Sequence, residues 1–111
     1  VRLSALAGEP WAAGCDRCRA NLVQACARAG IKPLIAYATD DHLAVQRLVS
    51  RGLAVTALPA LAFALHHEPG VVRLQAPELG TRRVWAAVAA RPRPPAVEAL
   101  LAEIVAAGAG R

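Results

Sequence analysis

The stretch that decides the fold runs from Ala36 to Pro59, AYATDDHLAVQRLVSRGLAVTALP. Its first residues close a stretch, Ile31 to Ala38, that reads as a buried strand with Pro33 near its start. Thr39-Asp40-Asp41 follows, three short oxygen-bearing side chains able to accept the free N–H groups of a helix's first turn. Ala44, Val45, Leu48 and Val49 then recur at helical spacing as far as Arg51, and Gly52 ends the helix. Leu53 to Leu58 is a short apolar strand. Pro59 suits the first position of a further short helix, Ala60 to Leu65. A strand, a helix and a second strand in this order make one unit of a parallel sheet, because parallel neighbours need a crossover between them.

The same order extends outward. Upstream, Glu9-Pro10 introduces a short strand, Trp11 to Ala13. A helix is expected from Asp16 to Ala29, with Cys18, Leu22, Cys26, Ala25 and Ala29 on one stripe and Gly30 as its stop. Downstream, His66-His67-Glu68-Pro69-Gly70 is a turn. Val71 to Gln75 and Arg82 to Ala90 then read as strands, separated by Pro77 and Gly80. Arg91 to Pro95 (RPRPP) is the best linker in the chain. After it, Val97, Leu100, Leu101, Ile104 and Val105 form a broad apolar helical stripe beside Glu98 and Glu103. There is no internal repeat. The expected fold class is α/β, a mostly parallel sheet flanked by helices.

Composition sets the bounds. At 111 residues the chain makes one domain or a piece of one, large enough for a core without staples. With 56% hydrophobic and 19% charged residues it is globular rather than disordered. Its 27 alanines and twelve arginines read as GC-rich coding. The longest apolar run, Leu53 to Leu65, is thirteen residues and includes Thr56 and Pro59, short of the about 20 that span a bilayer, so no membrane is expected. No secretory signal opens the chain, which begins on Val1 and reads as a fragment or a processed product. Three cysteines, an odd number, fit a reducing cytoplasm.

The net charge of +5 does not make a nucleic-acid face. The arginines are dispersed from Arg2 to Arg111, and the longest contiguous basic run is Arg82-Arg83. Trp11, Tyr37, Phe63 and Trp85 are not interleaved with a basic cluster on which bases could stack. Enzyme motifs are missing too: there is no GxSxG elbow, glycine-rich phosphate loop or HExxH. No catalytic residue, metal site or cofactor is expected. His66 and His67 read as solvated turn residues, and His42 as first-turn surface.

The cysteines admit two readings. Cys15-Asp16-Arg17-Cys18 is a CxxC at a helix start, where the dipole favours thiolate. A single CxxC supplies too few ligands for a structural zinc site. Cys18 and Cys26, eight residues apart, lie roughly 12 Å from each other in an intact helix and cannot form a disulfide, whereas Cys15 and Cys18, one turn apart at a frayed helix end, could. Packing as small apolar residues is the reading taken for the three thiols. Cys26 is expected to be buried and inert, and Cys15 or Cys18 the more reactive.

The residues Ala36 to Pro59, with Glu9-Pro10-Trp11 before a helix, Ala29-Gly30-Ile31-Lys32-Pro33 after it and Arg83-Val84-Trp85 before a last helix, resemble the second half of the effector-binding domain of LysR-type transcriptional regulators. One departure is Ala54, where the family usually has a second glycine. The resemblance implies a two-lobed domain similar to type 2 periplasmic binding proteins, with a small-molecule effector in the cleft between lobes. Residues 1–90 would be the second lobe with a crossover strand near Trp85 to Ala90. Residues 91–111 would be the linker and the helix that returns to the first lobe. DNA would be contacted only through an N-terminal domain outside this chain. Rival readings are a solute-binding lobe of a transporter and a thiol-based redox sensor of the same family.

In open α/β sheets ligands sit beyond the C-terminal ends of the strands. Those places are Gly14 to Cys18 and Thr39 to Asp41, so the expected cleft wall is Cys15, Asp16, Arg17, Cys18, Thr39 and Asp40. Asp16, Asp40 and Asp41 are expected to occupy the helix N-termini themselves, so the wall is expected to offer Thr39 and capped backbone groups to a neutral or partly cationic group, with Arg17 as the only nearby fixed positive charge for an acid. The C-terminal stripe is too apolar to face water, so a homodimer involving residues 94–107 is expected, and the intact regulator is expected to be a dimer or tetramer.

Overall fold

Trp11, Ala12 and Ala13 are all buried, so strand β1 (Pro10–Ala13) needs a neighbour on each edge and cover on each face. The computed structural model describes residues 1–109; the last two positions of the expected 91–111 segment, Gly110 and Arg111, lie outside the described residues. In it β1 is the middle of a three-stranded sheet of order β2-β1-β3, formed with β2 (Leu34–Ala38) and β3 (Val55–Thr56). Both pairings are parallel: Trp11 faces Ile35 on one side and Val55 on the other. The mostly parallel α/β sheet expected from the sequence is thus present.

The crossovers cover opposite faces. Helix α1 (Asp16–Arg28) joins β1 to β2, and α2 (His42–Ser50) joins β2 to β3. Alternation along β1 sends Trp11 to the α1 side, where it packs with Leu3, Leu22, Ala25 and Cys26. It sends Ala12 to the α2 side, with Val45 and Ala54. The 3₁₀ turn Leu3–Leu6, not foreseen in the sequence, closes the first cluster from below by burying Leu3.

Both crossover helices stop by one device. Gly30 (φ +73°) and Gly52 (φ +69°) take the left-handed conformation that a Cβ would strain. The next amides then fold back, Ile31 N–H onto the Cys26 carbonyl (2.9 Å) and Leu53 N–H onto that of Leu48 (3.0 Å).

These caps explain where strands are shorter than the sequence suggests. The strand expected over Ile31 to Ala38 begins only at Leu34, because the Ile31 amide belongs to the α1 cap and Pro33 has none to give. Nor is it a buried strand: β2 is a sheet edge, with Leu34, Tyr37 and Ala38 exposed. The strand expected over Leu53 to Leu58 shrinks to Val55–Thr56 between the α2 cap and Pro59, although the Thr56 hydroxyl prolongs the pairing by donating to the Ala12 carbonyl at 2.8 Å.

Beyond Thr56 the chain turns at Pro59 into the short helix α3 (Ala62–Leu65). The strands expected over Val71 to Gln75 and Arg82 to Ala90 do not form among the described residues. A strand needs a partner's N–H and C=O groups, and neither segment pairs with the open edges that β2 and β3 present. Val84 and Trp85 are instead 80% and 78% exposed. A 3₁₀ turn, Pro77–Leu79, interrupts this tail and packs on α1. The final helix α4 (Pro95–Ala109) follows. The radius of gyration, 17.1 Å, exceeds the about 13 Å of a compact domain of this size, in keeping with an extended tail.

Candidate functional site

Because all three strands are parallel, their C-terminal ends meet at one edge of the sheet. The Thr39 amide donates to the Ala13 carbonyl at 3.0 Å, locking the exits of β1 and β2 together. A Cβ on Gly14 would stand 3.6 Å from Cys18 Cβ and 3.9 Å from the Thr39 carbonyl, ordinary contact distances that make these residues close neighbours. Cys15, Cys18 and Thr39 therefore come to one place. Asp16 and Arg17 sit in the exposed first turn of α1, and Asp40 is exposed on the loop before α2.

The helix N-termini are occupied differently from the expectation. At α2, Asp41 Oδ1 accepts from the amides of Leu43 (2.8 Å) and Ala44 (3.1 Å), as its residue type suggests. Asp40 makes no such bond, and Thr39 Oγ1 accepts from the Asp41 amide at 3.2 Å. At α1 the cap is not Asp16 but the Cys15 thiol, which accepts from the Cys18 amide at 3.5 Å. His42, the first residue of α2, is exposed as expected.

The thiols part company. Cys26 is fully buried beside Trp11 and Leu22, and burial raises its pKa. Packing does account for this one. Cys15 is exposed and Cys18 half-buried, so packing does not account for them. Their Sγ atoms hydrogen-bond at 3.1 Å. Bonds from the Cys18 side chain and amide hold the Cys15 thiol below the usual cysteine range, while the same thiol–thiol contact and burial raise Cys18.

Sequence reasoning missed the third side of this place. The end of β3 and the tail close over Cys18 to leave a cavity of about 130 Å³, lined among others by Asn21, Leu58, Pro59, Gly80 and Arg82. The Arg82 guanidinium reaches within 3.9 Å of Cys18 Sγ, supplying a positive charge to this place beside Arg17. A broader depression beside Arg91, Arg93 and Glu98 is surface formed by side chains that pair with each other, Arg93 Nε donating to Glu98 Oε1 at 2.8 Å.

The His66–Gly70 turn is also more than solvated surface. Both imidazoles are exposed, but Glu68 is buried against Gln46, itself buried on α2. Gln46 Nε2 donates to the His66 carbonyl at 3.2 Å and its Oε1 accepts from the Glu68 amide at 2.9 Å. The Glu68 carboxylate meets Arg47 and His66, each at 3.1 Å. No cluster of three or more metal-ligating side chains exists among the described residues. No described helix is long and apolar enough to cross a membrane.

None of the curated proteins and none of the solved structures compared with the chain matches it. The family model of the LysR substrate binding domain matches residues 1–109. Together with the parallel sheet and the convergence of its strand ends, that match places the chain: it belongs to the family of LysR substrate-binding domains, the periplasmic-binding-protein-like α/β domains of transcription regulators.

Proposed function

We propose that this chain forms one wall of a small-molecule effector cleft and passes the ligand's presence to a DNA-binding domain outside it. The observation that carries the reading is the meeting of the β1, β2 and β3 exits around Gly14, Cys18 and Thr39. In an open α/β sheet this edge is where ligands bind. Thr39 Oγ1 already accepts from Asp41, which leaves its hydroxyl proton for a ligand acceptor. Arg82 and Arg17 supply cationic groups, and Asp16 and Asp40 anionic ones. Such a wall suits a small polar molecule carrying both an acceptor and a donor.

In this reading residues 1–90 are the second lobe, and residues 91–111 the linker and a helix that docks elsewhere in the intact domain. The protein is a cytoplasmic regulator rather than an enzyme. A family match to regulators favours this over a transporter's solute-binding lobe.

The test is a thermal-shift screen of the intact regulator with small carboxylic acids and amino acids, followed by titration of the compounds that raise its melting temperature. Thr39→Ala and Arg82→Ala are expected to weaken binding of such a compound about tenfold each, the loss of one hydrogen bond of roughly 1.4 kcal/mol. Undiminished affinity in both variants refutes the assignment.

A further inference from the structure

We infer that Cys15 and Cys18 form a peroxide-oxidisable dithiol whose disulfide closes across the first turn of α1. The pair is placed for it: the sulfurs are 3.1 Å apart, one thiol exposed and the other half-buried beside the Arg82 guanidinium. They occupy the N-cap and third position of one helix, a spacing compatible with the Cα separation a disulfide needs. Neither belongs to the hydrophobic core, so oxidation does not require the domain to open.

Roles follow from position. Cys15 accepts from the Cys18 amide and stands at the positive end of the α1 dipole, so it is the thiol of the pair that ionises more readily and attacks as thiolate. Its sulfur attacks one oxygen of hydrogen peroxide; the O–O bond breaks, the sulfur loses two electrons, and the departing hydroxide leaves as water with one proton. Cys15 is then a sulfenic acid. The Cys18 thiol attacks that sulfur, the S–O bond breaks, and the hydroxide carries off the Cys18 proton as a second water. In balance, two thiols and one hydrogen peroxide give one disulfide and two waters.

Cys26 stands outside this chemistry. It is buried on the inner face of the same unbroken helix, eight residues and roughly 12 Å from Cys18. The disulfide would abolish the thiol–thiol hydrogen bond and alter the sulfur that Arg82 meets, so its formation reaches the wall of the 130 Å³ cavity. The oxidation itself does not depend on any effector occupying that cavity.

The reduced chain is exposed to a small molar excess of hydrogen peroxide under native conditions, alkylated, and mapped by mass spectrometry after trypsin. The expected product is a linked peptide pair, Cys15 with Cys18, lighter by two hydrogen atoms and restored by dithiothreitol. Cys26 should remain alkylatable after unfolding. Loss of the two thiols should be several-fold faster than in the same chain unfolded in urea. Cys18→Ser should instead stop at a Cys15 sulfenic acid that dimedone traps. Oxidation of Cys15 to a sulfinic acid in the wild-type chain without linkage to Cys18, a bond to Cys26, or thiol loss no faster than in urea would overturn the proposal.

Discussion

Truncating Gln46 to alanine tests whether the buried link between α2 and the turn after α3 holds the tail of the domain in place. Gln46 is 1% exposed, and its amide makes both of its protein contacts to backbone of the turn, the His66 carbonyl and the Glu68 amide. Without it the Glu68 N–H, in a buried setting, loses its partner, at a cost of about 1–3 kcal/mol. The His66 carbonyl belongs to an exposed residue that water can reach, so its loss adds only the net worth of one hydrogen bond, about 1 kcal/mol. The expected destabilisation is therefore about 2–4 kcal/mol. Arg47→Ala is the control. Arg47 also meets Glu68, at 3.1 Å, but its side chain is 66% exposed, and a screened pair of this kind contributes at most about 1 kcal/mol. Urea unfolding followed by circular dichroism should show a lower midpoint for Gln46→Ala, at unchanged m, than for Arg47→Ala. Equal midpoints in the two variants would show that the polar link contributes no more than a surface ion pair, and the reasoning would fail.

Two further outcomes are expected. The Glu78 carboxyl is held below the usual carboxylate range chiefly by hydrogen bonding from its own backbone amide, then from the Leu3 amide, with Arg2 nearby; its stabilising effect is present above the ordinary glutamate pKa and lost as pH falls through the lower folded value, so Glu78→Gln should flatten the acid side of the stability–pH profile measured by urea midpoints, and an identical acid limb in wild type and variant refutes this. On α4, Leu100 and Val105 are 60% and 69% exposed; because each buried aliphatic side chain is worth roughly 1.5–3 kcal/mol, light scattering should give the chain twice the mass of one copy and Leu100→Glu with Ile104→Glu should return it to one, whereas a wild-type monomer at high concentration refutes association through residues 94–107.

Some of this protein was legible one residue at a time. Asp41 as a helix cap, Gly30 and Gly52 as helix stops, and the inward stripe of Leu22, Ala25 and Cys26 all depend on neighbours within a turn or two of the chain. Such neighbours are present in the sequence itself. The strand–helix–strand order then implied a parallel sheet, and a parallel sheet implied that the exits after Ala13 and Ala38 share an edge. That order alone is enough to group Cys15, Cys18 and Thr39.

What the tertiary structure alone decided depends on partners far away in sequence. The apolar residues in Val71 to Gln75 and Arg82 to Ala90 mark a capacity for strand, but pairing requires the tail to dock along a sheet edge, and neither segment pairs with the edges that β2 and β3 leave open. Whether Ile31 to Ala38 is central or at an edge depends on the order in which crossovers lay strands down, so a run that looked buried became an exposed edge. Gln46 and Glu68 look like surface residues in isolation; only the fold of α2 against the turn buries them with each other as partners. Arg82 lies 64 residues beyond Cys18, and no local pattern ties the two. Helix caps and stripes are short-range properties of the chain, whereas strand pairing, edge exposure and the surroundings of a thiol are set by the packing of distant segments.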